Sequence, residues 1–330
     1  MIKIGINGLG RIGRLVLRAA LEDNNIEIAL LNTPGSAEVV AHLLKYDSVH
    51  GTWNFECDYS EGKININGKK IPISAYKNPL EIPAKNIDVM LECSGKFNRR
   101  QHAEEHLKAG AKKVIVSAPC ENADSTIVVG VNDRVLTKEH DVISIGSCTT
   151  NALAPIAKIM NDNFGIENGY VTTIHAYTGD QNIVDNSHKD IRRARCASMS
   201  MIPTKTGAAE ALKLVLPELE GKIFGSAVRV PTPNVSMLDM VLNLSKPASK
   251  ETINKAINEA ASGEMKNIIS VAKARLVSVD FNHSPYSSIF DPFETYIISE
   301  RVVRLVSWYD NEWGFAKRMI DAAKLIYRQI

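Results

Sequence analysis

Short apolar runs alternate with helical segments in the first half of the chain. The runs predict strands at 2–7, 27–31, 87–92, 113–117, 125–129 and 142–145, and the stretches between them predict helices at 10–23, 37–45 and 100–109. Strands and helices in alternation are typical of a parallel sheet with helices on both faces. Ligands of such sheets bind at the carboxyl ends of the strands, where the sequence places Asn32, Ser94, Gly95 and Ser117.

The pattern changes at about residue 148. Longer strands with few intervening helices are predicted at 169–175, 225–230, 235–244, 274–278 and 302–308, and we expect them to form one antiparallel sheet. A last helix at about 312–329 is expected to return to the first domain. The expected domains are therefore 1–147, completed by 314–330, and 148–313. Cys148 lies beside this boundary, and clefts between domains are common places for active sites.

A glycine-rich turn follows the first predicted strand and has the sequence Gly8-Leu9-Gly10-Arg11-Ile12-Gly13. Gly8 permits a tight turn, Gly10 lets the backbone approach a pyrophosphate, and Gly13 lets helix and strand pack closely. Such turns also arise for structural reasons alone, but the strand before it and the helix after it favour dinucleotide binding. The predicted fold class is α/β, with an N-terminal Rossmann-type doubly wound parallel sheet and an α+β catalytic domain whose sheet is mainly antiparallel.

Composition narrows the class of protein. A chain of 330 residues exceeds what one hydrophobic core usually supports, and a net charge of +2 predicts neither a nucleic-acid nor a membrane partner. The five cysteines are widely spaced without a C-x-x-C pair, which predicts a reducing compartment, the cytoplasm, and neither a disulfide framework nor a metal site. No apolar run reaches the roughly 18 residues of a membrane helix. The glycine motif begins too near Met1 for a signal peptide.

Cys148 lies between a predicted strand and a predicted helix, directly after Ser147 and before Thr149. The plainer interpretation is a small side chain that fills the core. A helix N-terminus, however, presents backbone N–H groups and a positive dipole end, and both favour a thiolate. A thiol nucleophile needs a base within hydrogen-bond reach, and His175 at the end of the strand 169–175 is our candidate.

A third cluster of the sequence is cationic. It comprises 189–195, the turn 204–207 and Arg229, which lies within an apolar strand. Guanidinium groups and small hydroxyl residues near turns suit phosphate, although a run of charges is often only a solvated face. Arg229 does not fit that plainer interpretation, because a half-buried cation needs a partner.

Six stretches of this sequence resemble phosphorylating glyceraldehyde-3-phosphate dehydrogenases. They are NGLGRIGR at 7–14, KYDSVHG at 45–51, SCTTN at 147–151, HKD at 188–190, RVPTPNVS at 229–236 and SWYDNE at 307–312. The resemblance extends over the whole chain, and SCTTN and RVPTPNVS are highly specific.

The resemblance implies that glyceraldehyde 3-phosphate and inorganic phosphate are converted to 1,3-bisphosphoglycerate through a thioester on Cys148, with His175 as base and NAD or NADP as hydride acceptor. The backbone N–H of Cys148 and the His175 ring would meet the oxyanion. It implies two phosphate subsites, one of Thr178, Asp180 and Arg229 and the other of Ser147, Thr149, Arg195, Thr206 and Gly207. It also implies a homotetramer, in which the loop 177–200 reaches the cofactor of a neighbouring subunit.

Departures from the family pattern concern the cofactor. NAD-dependent members have an acidic residue about 20 residues beyond the glycines, where this chain has the neutral Thr33. Lys77 can approach a 2′-phosphate, and 185–188 are polar where strict NAD users often have Leu-Pro. We therefore expect NADP or dual use, as in the gluconeogenic or photosynthetic branch. The expected cofactor-binding residues are Gly8, Gly10, Arg11, Ile12, Gly13, Asn32, Thr33, Lys77, Ser94, Gly95, Ser117 and Asn311, the last for the nicotinamide carboxamide.

Two alternatives stay open at this point. Within the enzyme class, an erythrose-4-phosphate dehydrogenase shares the Cys and His but releases a free acid, because water resolves the thioester. Thr206, Gly207 and Arg195 favour the phosphorylating reaction. In another class, the protein has a secondary role in binding RNA or cell surfaces, although the chain has no stripe of basic and aromatic residues that would form a dedicated nucleic-acid surface.

Overall fold

The computed structural model describes residues 1–330, which divide into two compact units. The first unit comprises 1–127, 133–146 and 316–330, and the second comprises 128–132 and 147–315. No helix is long and apolar enough to cross a membrane.

The first unit contains eleven strands and four helices before residue 147. The strands are β1 (Ile2–Asn7), β2 (Ile26–Asn32), β3 (Tyr46–Asp47), β4 (Gly51–Thr52), β5 (Cys57–Ser60), β6 (Lys63–Ile66), β7 (Lys69–Ser74), β8 (Val89–Glu92), β9 (Lys113–Val116), β10 (Ser125–Thr126) and β11 (Val142–Ser144). The helices are α1 (Arg11–Leu21), α2 (Ala37–Lys45), α3 (Arg100–Ala103) and α4 (Glu105–Lys108).

Nine of these strands form one sheet in the order β10-β11-β9-β8-β1-β2-β7-β6-β5. Every pair from β10 to β7 is parallel, and the hairpin of β5 to β7 adds an antiparallel edge. The chain runs from β1 to β2 on one side and later to β8 on the other. The carboxyl end of β1 is therefore a topological switch point, where ligands of such sheets bind.

The second unit contains eight strands and three complete helices. They are α5 (Cys148–Phe164), β12 (Ile166–Ala176), β13 (Ile202–Thr204), α6 (Ala208–Val215), β14 (Ile223–Val230), β15 (Ser236–Leu244), α7 (Lys250–Ser262), β16 (Ile269–Val271), β17 (Ser288–Phe290), β18 (Tyr296–Ile297) and β19 (Val302–Tyr309). A last helix, α8 (Trp313–Tyr327), begins in the second unit and ends in the first. Lys317 and Lys324 of α8 form ion pairs with Glu22 and Asp23, directly after α1.

The sheet of the second unit has the order β13-β14-β12-β15-β19-β17-β16, and four of its six neighbouring pairs along this order are antiparallel. One hydrophobic cluster, formed by α5, α6 and α7 with one face of this sheet, makes the core. The predicted fold class is confirmed: a Rossmann-type parallel sheet is followed by a mainly antiparallel one.

Two expectations about the second unit were wrong. Residues 274–278 are not a strand, because the Asp280 carboxylate accepts a hydrogen bond from Val277 N–H and turns the chain into a short 3₁₀-helix, Ser278–Phe281. The strand in this part of the chain is instead β16, which ends at Val271, before the expected position. In addition, β14 runs parallel to β12, because the long connection through α6 returns the chain to the same end of the sheet. This register pairs His175 with Arg229.

Two elements of the first unit are shorter than predicted. The strand expected at 125–129 ends at Thr126, because the backbone N–H of Val128 donates to the Asn132 side chain and the chain turns. The helix expected at 100–109 is divided at Glu104 into α3 and α4, where hydrogen bonds of the i to i−3 type tighten the backbone.

Candidate active site

Cys148 is the first residue of α5, and Ser147 is its N-cap. Gly146 has a positive φ of 65°, which lets the chain turn sharply from β11 into the helix. The Ser147 hydroxyl accepts a hydrogen bond from Thr150 N–H at 3.1 Å, which satisfies one of the free donors at this end. The thiol is thus fixed at a helix N-terminus and remains partly exposed.

The imidazole of His175 faces this thiol. His175 lies at the end of β12, is 4% exposed, and places its Nε2 3.5 Å from Cys148 Sγ. The strand fixes the direction of the side chain, since its backbone is paired on both sides, with β14 and with β15. The structure therefore brings the two residues proposed for catalysis into contact.

Burial sets the protonation of both groups. Burial, helped by the charge of Arg229, lowers the pKa of His175 to about 3, so the imidazole is neutral at neutral pH. Burial raises the pKa of the Cys148 thiol, although Arg229 and the backbone N–H groups at the helix start oppose this. From the sequence we expected the helix N-terminus to favour a thiolate. Because burial instead raises the pKa of the thiol, the helix terminus alone does not produce a thiolate, and the thiol needs a base.

Tyr309 is a site residue to which sequence reasoning assigned no role. Its buried hydroxyl contacts the hydroxyls of Thr149 at 2.9 Å and Thr173 at 2.8 Å, and its ring meets the His175 ring edge to face at 6.0 Å between centroids. It thereby connects α5 to β12 beneath the thiol. Its place in the SWYDNE stretch was a signal, but the sequence does not show what the hydroxyl contacts.

Arg229 is a half-buried cation beside the imidazole. Its Nη1 lies 2.8 Å from His175 Nδ1 and 3.0 Å from the carbonyl oxygen of Ala176. Its buried Nε has no hydrogen-bond partner, and no carboxylate forms an ion pair with it. The site therefore holds a positive charge and a free donor, an arrangement that an anion completes.

The other residues of the first predicted phosphate subsite are not bonded to Arg229. The Asp180 carboxylate accepts a hydrogen bond from Arg193 at 2.6 Å, and the carbonyl of Thr178 accepts one from Gln181 N–H. The nearby Gln181 side chain is buried with neither polar atom bonded. The structure connects Asp180 to the cationic cluster through Arg193, a residue that was not in the predicted set.

The second predicted phosphate subsite comes from three elements. Ser147 caps α5, Thr149 bonds to Tyr309, and the Thr206 hydroxyl accepts from Ala208 N–H at 3.2 Å next to Gly207, the N-cap of α6. Arg195 is exposed and pairs with Asp185 at 2.8 Å. No hydrogen bond joins Arg195 to the other four residues.

Asn311 is held from two directions. The Asp310 carboxylate accepts hydrogen bonds from the backbone N–H groups of Glu312 and Trp313, which fixes the turn around Asn311. The Ser236 hydroxyl accepts from Ala176 N–H at 3.1 Å and donates to Asn311 Oδ1 at 2.8 Å. The Asn311 amide nitrogen is thus left to donate elsewhere.

The glycine turn of the first unit has the shape that a pyrophosphate needs. A Cβ on Gly13 would lie 1.9 Å from the carbonyl oxygen of Gly8, and one on Gly8 would lie 2.5 Å from Ser94 N. At Gly10 the space is open, with no atom within 4 Å of a Cβ position. Gly10 is also the N-cap of α1 and offers no side-chain cap. The backbone donors of this helix start are therefore accessible to an anion, and the residues present fit a dinucleotide.

A buried polar network supports this turn, and sequence reasoning missed two of its members, Glu92 and His106. Glu92 accepts from Asn7 Nδ2 at 2.6 Å, from Ser94 N–H at 2.7 Å and from the Ser94 hydroxyl at 2.5 Å, and it contacts His106 Nε2 at 2.9 Å. The network pins Ser94 directly against the glycine turn. A carboxylate and an imidazole in apolar segments were the only signals in the sequence.

Five other predicted cofactor residues differ in their surroundings. The Asn32 side chain donates to Asn7 and accepts from Ser74 and Tyr76, so it fastens the ends of β1, β2 and β7 together. Ser117 N–H donates to the carbonyl of Glu92, and Thr33 N–H to that of Ser74. Lys77 is exposed. Arg11, in the first turn of α1, forms an ion pair with Asp47 at 2.5 Å.

The sequence matches two family models, one in each unit. Residues 2–100 match the NAD binding domain of glyceraldehyde 3-phosphate dehydrogenase, and residues 147–311 match its C-terminal domain. The chain is 52% identical over 326 residues to the glyceraldehyde-3-phosphate dehydrogenase of Xanthobacter flavus, covering 98% of this chain and 97% of the relative. It is 50% identical to that of Geobacillus stearothermophilus and 48% identical to that of Pseudomonas aeruginosa, with at least 97% of each chain covered. The chain belongs to the glyceraldehyde 3-phosphate dehydrogenase family.

Proposed function

We propose that this protein oxidises glyceraldehyde 3-phosphate and joins the product to inorganic phosphate, giving 1,3-bisphosphoglycerate with NAD or NADP as oxidant. The observation that carries this proposal is the Cys148 thiol 3.5 Å from a neutral His175, with a cation beside them that has no acidic partner. Those three groups supply a nucleophile, a base and a holder for the anionic end of the substrate.

In the first step His175 Nε2 takes the thiol proton and Cys148 Sγ attacks the aldehyde carbon. The carbonyl oxygen becomes an oxyanion and then the hydroxyl of a thiohemiacetal. The backbone N–H of Cys148 and the protonated His175 ring stabilise that oxygen. The low pKa of His175 leaves the ring neutral and able to accept a proton, and it makes the protonated ring a strong acid that gives the proton up readily.

In the second step His175 takes the hydroxyl proton and the carbon loses a hydride, which leaves a thioester on Cys148. The nicotinamide, held by Asn311, would supply the hydride acceptor. An oxygen of inorganic phosphate then attacks the thioester carbon, and the C–S bond breaks to release the acyl phosphate and the Cys148 thiolate. The proton held by His175 returns to the sulfur. We assign Arg229, Thr178 and Asp180 to one phosphate group and Ser147, Thr149, Arg195, Thr206 and Gly207 to the other.

For the cofactor, we assign the pyrophosphate to Gly8, Gly10 and Gly13 and the nicotinamide carboxamide to Asn311. The neutral Thr33 and the exposed Lys77 support use of NADP or of both cofactors, because no carboxylate at position 33 repels a 2′-phosphate. The test is a comparison of initial rates with NADP and NAD at matched concentrations. A clear NADP preference would support a biosynthetic role. A strong NAD preference would instead indicate a glycolytic role and would overturn our proposal that Thr33 permits NADP.

We further propose a cytoplasmic homotetramer. Five free cysteines support a reducing compartment. The loop 177–200 and its end expose large apolar side chains, with Val184 72%, Ile191 83% and Met199 84% accessible, as expected for a surface that another subunit covers. Light scattering coupled to gel filtration should give a mass four times the 36.3 kDa of one chain, and a monomer mass would contradict the proposal.

The alternative within the same class is oxidation of erythrose 4-phosphate, with water in place of phosphate. A product assay with and without inorganic phosphate separates the two reactions. We expect turnover to require phosphate and an acyl phosphate to accumulate. Turnover of erythrose 4-phosphate to a free acid without phosphate would favour the alternative.

A secondary role in binding RNA or cell surfaces is a proposal of another class. The net charge of +2 gives it little support. Substitution of Cys148→Ser separates it from catalysis, because binding would survive that change and dehydrogenase turnover would not.

A further inference from the structure

We propose that Glu92, which is 1% exposed and out of reach of a ligand, positions the adenosine end of the cofactor site. It acts through the side chains of Asn7 and Asn32, which with Glu92 form a row of hydrogen-bonded groups that we name the amide row. This inference deepens the proposed function, on which it rests for the assignment of the first unit to NAD or NADP. Glu92 is a positioning residue, since it orients groups of the site without contacting the cofactor.

The parallel register of the first sheet brings the amide row together. Asn7 is paired with Asn32 on one side and with Glu92 on the other, and Asn32 is paired with Ser74. Each of these four residues is the last of its strand, so the row crosses the carboxyl ends of β7, β2, β1 and β8. Ligands of parallel sheets bind at this edge.

Glu92 fixes one end of the amide row as an acceptor. Its oxygens accept hydrogen bonds from Asn7 Nδ2 at 2.6 Å and from the N–H and hydroxyl groups of Ser94 at 2.7 and 2.5 Å. His106 Nε2 lies 2.9 Å from the oxygen that faces Asn7. An ionised carboxylate only accepts hydrogen bonds. The amide group of Asn7 must therefore turn its nitrogen toward Glu92 and its oxygen toward Asn32.

The backbone of Tyr76 fixes the other end of the amide row. Asn32 Oδ1 accepts from Tyr76 N–H at 3.0 Å and from the Ser74 hydroxyl at 2.7 Å. Asn32 Nδ2 donates to the Tyr76 carbonyl at 2.9 Å and to Asn7 Oδ1 at 2.8 Å. The Asn32 amide thus makes all four hydrogen bonds of which an amide group is capable. Because a backbone N–H and C=O cannot exchange places, this amide has one orientation, and it agrees with the orientation that Glu92 imposes.

The Asn32 end of the amide row holds the part of the site assigned to the adenosine ribose. Asn32 binds both the N–H and the carbonyl of Tyr76, and Thr33 N–H donates to the carbonyl of Ser74. Thr33 follows Asn32 directly, and Lys77 follows Tyr76. The amide of Asn32 thereby keeps the segment before Lys77 against the end of β2, next to Thr33.

The Glu92 end of the amide row holds the glycine turn. Glu92 binds Ser94, whose backbone nitrogen would lie 2.5 Å from a Cβ on Gly8. One buried carboxylate is therefore connected to both parts of the site. Reversal of either amide in the row would place two donors or two acceptors face to face without water to separate them. The direction of the whole row depends on Glu92.

Glu92→Gln tests this dependence, because it preserves the shape of the side chain and replaces one acceptor with a donor. The new donor must face either Ser94 N–H or Asn7 Nδ2, and a flip of both asparagines would only move the conflict to Tyr76 N–H. We expect the affinity for ADP, which carries the adenosine and pyrophosphate parts of both cofactors, to fall about tenfold in calorimetric titration. We also expect amide hydrogen exchange in peptides that cover 74–78 to become at least about fivefold faster.

Asp88→Asn is the matched control. Asp88 directly precedes β8, at the end of the strand opposite Glu92, and its carboxylate accepts from Lys3 N–H at 2.9 Å and pairs with Lys112 at 2.7 Å. The substitution neutralises a carboxylate that is also mostly buried but has no contact with the amide row. It should leave ADP affinity and hydrogen exchange at 74–78 at the wild-type values.

A second substitution should rescue the first. When Asn7→Asp is combined with Glu92→Gln, the new amide nitrogen at position 92 donates to the new carboxylate at position 7, which still accepts from Asn32 Nδ2. His106 can follow this change, since its Nδ1 has no partner and the ring proton can move there, which leaves Nε2 as an acceptor. Asn7→Asp alone sets two carboxylates face to face and should weaken ADP binding as much as Glu92→Gln. The double variant should bind ADP within about twofold of the wild type.

A purely structural role of Glu92 predicts additive losses and no rescue. A double variant that binds ADP no better than the weaker single variant would overturn the proposal, as would unchanged exchange at 74–78 in Glu92→Gln. If neither single variant folds, the double variant still decides, because a folded double variant that binds ADP supports the amide row and an unfolded one overturns it. Failure of the wild type to bind ADP would overturn the cofactor assignment together with this proposal, whereas equal binding by wild type and Glu92→Gln would overturn the proposal alone.

Discussion

The polar groups at the end of β8 and those at the end of β12 are bonded in opposite ways. Both oxygens of Glu92 are occupied by neighbouring side chains or backbone, and the network holds a glycine turn that has no reactive side chain. At the end of β12, by contrast, His175 and Arg229 compete for the same bonds and a buried donor remains free. The groups at the end of β8 therefore hold the glycine turn in place, whereas those at the end of β12 leave a buried donor available to a ligand.

The largest effect is expected from a substitution of the Cys148 thiol. We expect Cys148→Ser to lower kcat by at least about a thousandfold, because a serine hydroxyl next to a weakly basic imidazole is a far poorer nucleophile. Cofactor binding to the first unit should be unchanged, as measured by fluorescence titration. Cys196→Ser is the matched control and should retain full turnover. Equal activity of both variants would remove Cys148 from the mechanism.

Protonation of His175 gives the second largest effect, on stability. Its folded pKa of about 3 lies below the usual value of 6.5, so the unfolded chain binds the proton more readily. The contribution of this residue is complete above pH 6.5 and is lost as the pH falls toward 3, which corresponds to as much as about 5 kcal/mol.

The measurement is urea unfolding of the wild type and of His175→Asn between pH 7 and pH 4. The free energy of unfolding should fall more steeply with acid in the wild type than in the variant. Parallel curves would show that burial does not hold this imidazole neutral.

Two substitutions in the glycine turn should separate its role in folding from its role in cofactor binding. A Cβ at Gly13 would lie 1.9 Å from the Gly8 carbonyl oxygen, so Gly13→Ala should destabilise the protein by about 3 kcal/mol. At Gly10 the space is open, and Gly10→Ala should leave the urea midpoint nearly unchanged while it weakens cofactor binding. If Gly10→Ala left cofactor affinity at the wild-type value, the open space would not be the pyrophosphate site.

Sequence patterns predicted the fold class because apolar periodicity and glycine spacing are local properties. They did not predict that β14 runs parallel to β12, since a strand has the same period of two in either direction. They also placed a strand at 274–278, where one hydrogen bond from Val277 N–H to the Asp280 carboxylate starts a 3₁₀-helix instead.

Some residues of the candidate site could likewise be predicted from the sequence, and others could not. Cys148 and His175 were recognisable from their positions at a helix start and a strand end, and Cys148 also lies in the SCTTN stretch. The contact of Arg229 with Nδ1 depends on the parallel register of β12 and β14, which no local pattern contains. Glu92 and His106 were missed because two polar residues 14 positions apart in the sequence give no sign that both are buried and in contact with each other.

The smallest effect concerns Ser236, whose hydroxyl orients the Asn311 amide. Val235 precedes it with a φ of +67°, a conformation that a β-branched residue rarely adopts, and this backbone leads into the first residue of β15. Since Ser236 accepts from Ala176 N–H, its own hydrogen is directed to Asn311 Oδ1 and the amide nitrogen is presented to a ligand. Ser236→Ala removes this constraint and should cost about 1 kcal/mol of cofactor affinity.

Calorimetric titration with the preferred cofactor and with its fragment that lacks nicotinamide separates orientation from folding. Ser236→Ala should weaken binding of the whole cofactor about fivefold and leave the affinity for the fragment unchanged. The matched control is Ser307→Ala, which also loses a buried serine hydrogen bond, at 2.5 Å to Ser288, but does not contact Asn311. In an Asn311→Ala background the Ser236 substitution should have no further effect. Equal losses for cofactor and fragment would instead show that Ser236 only supports the fold.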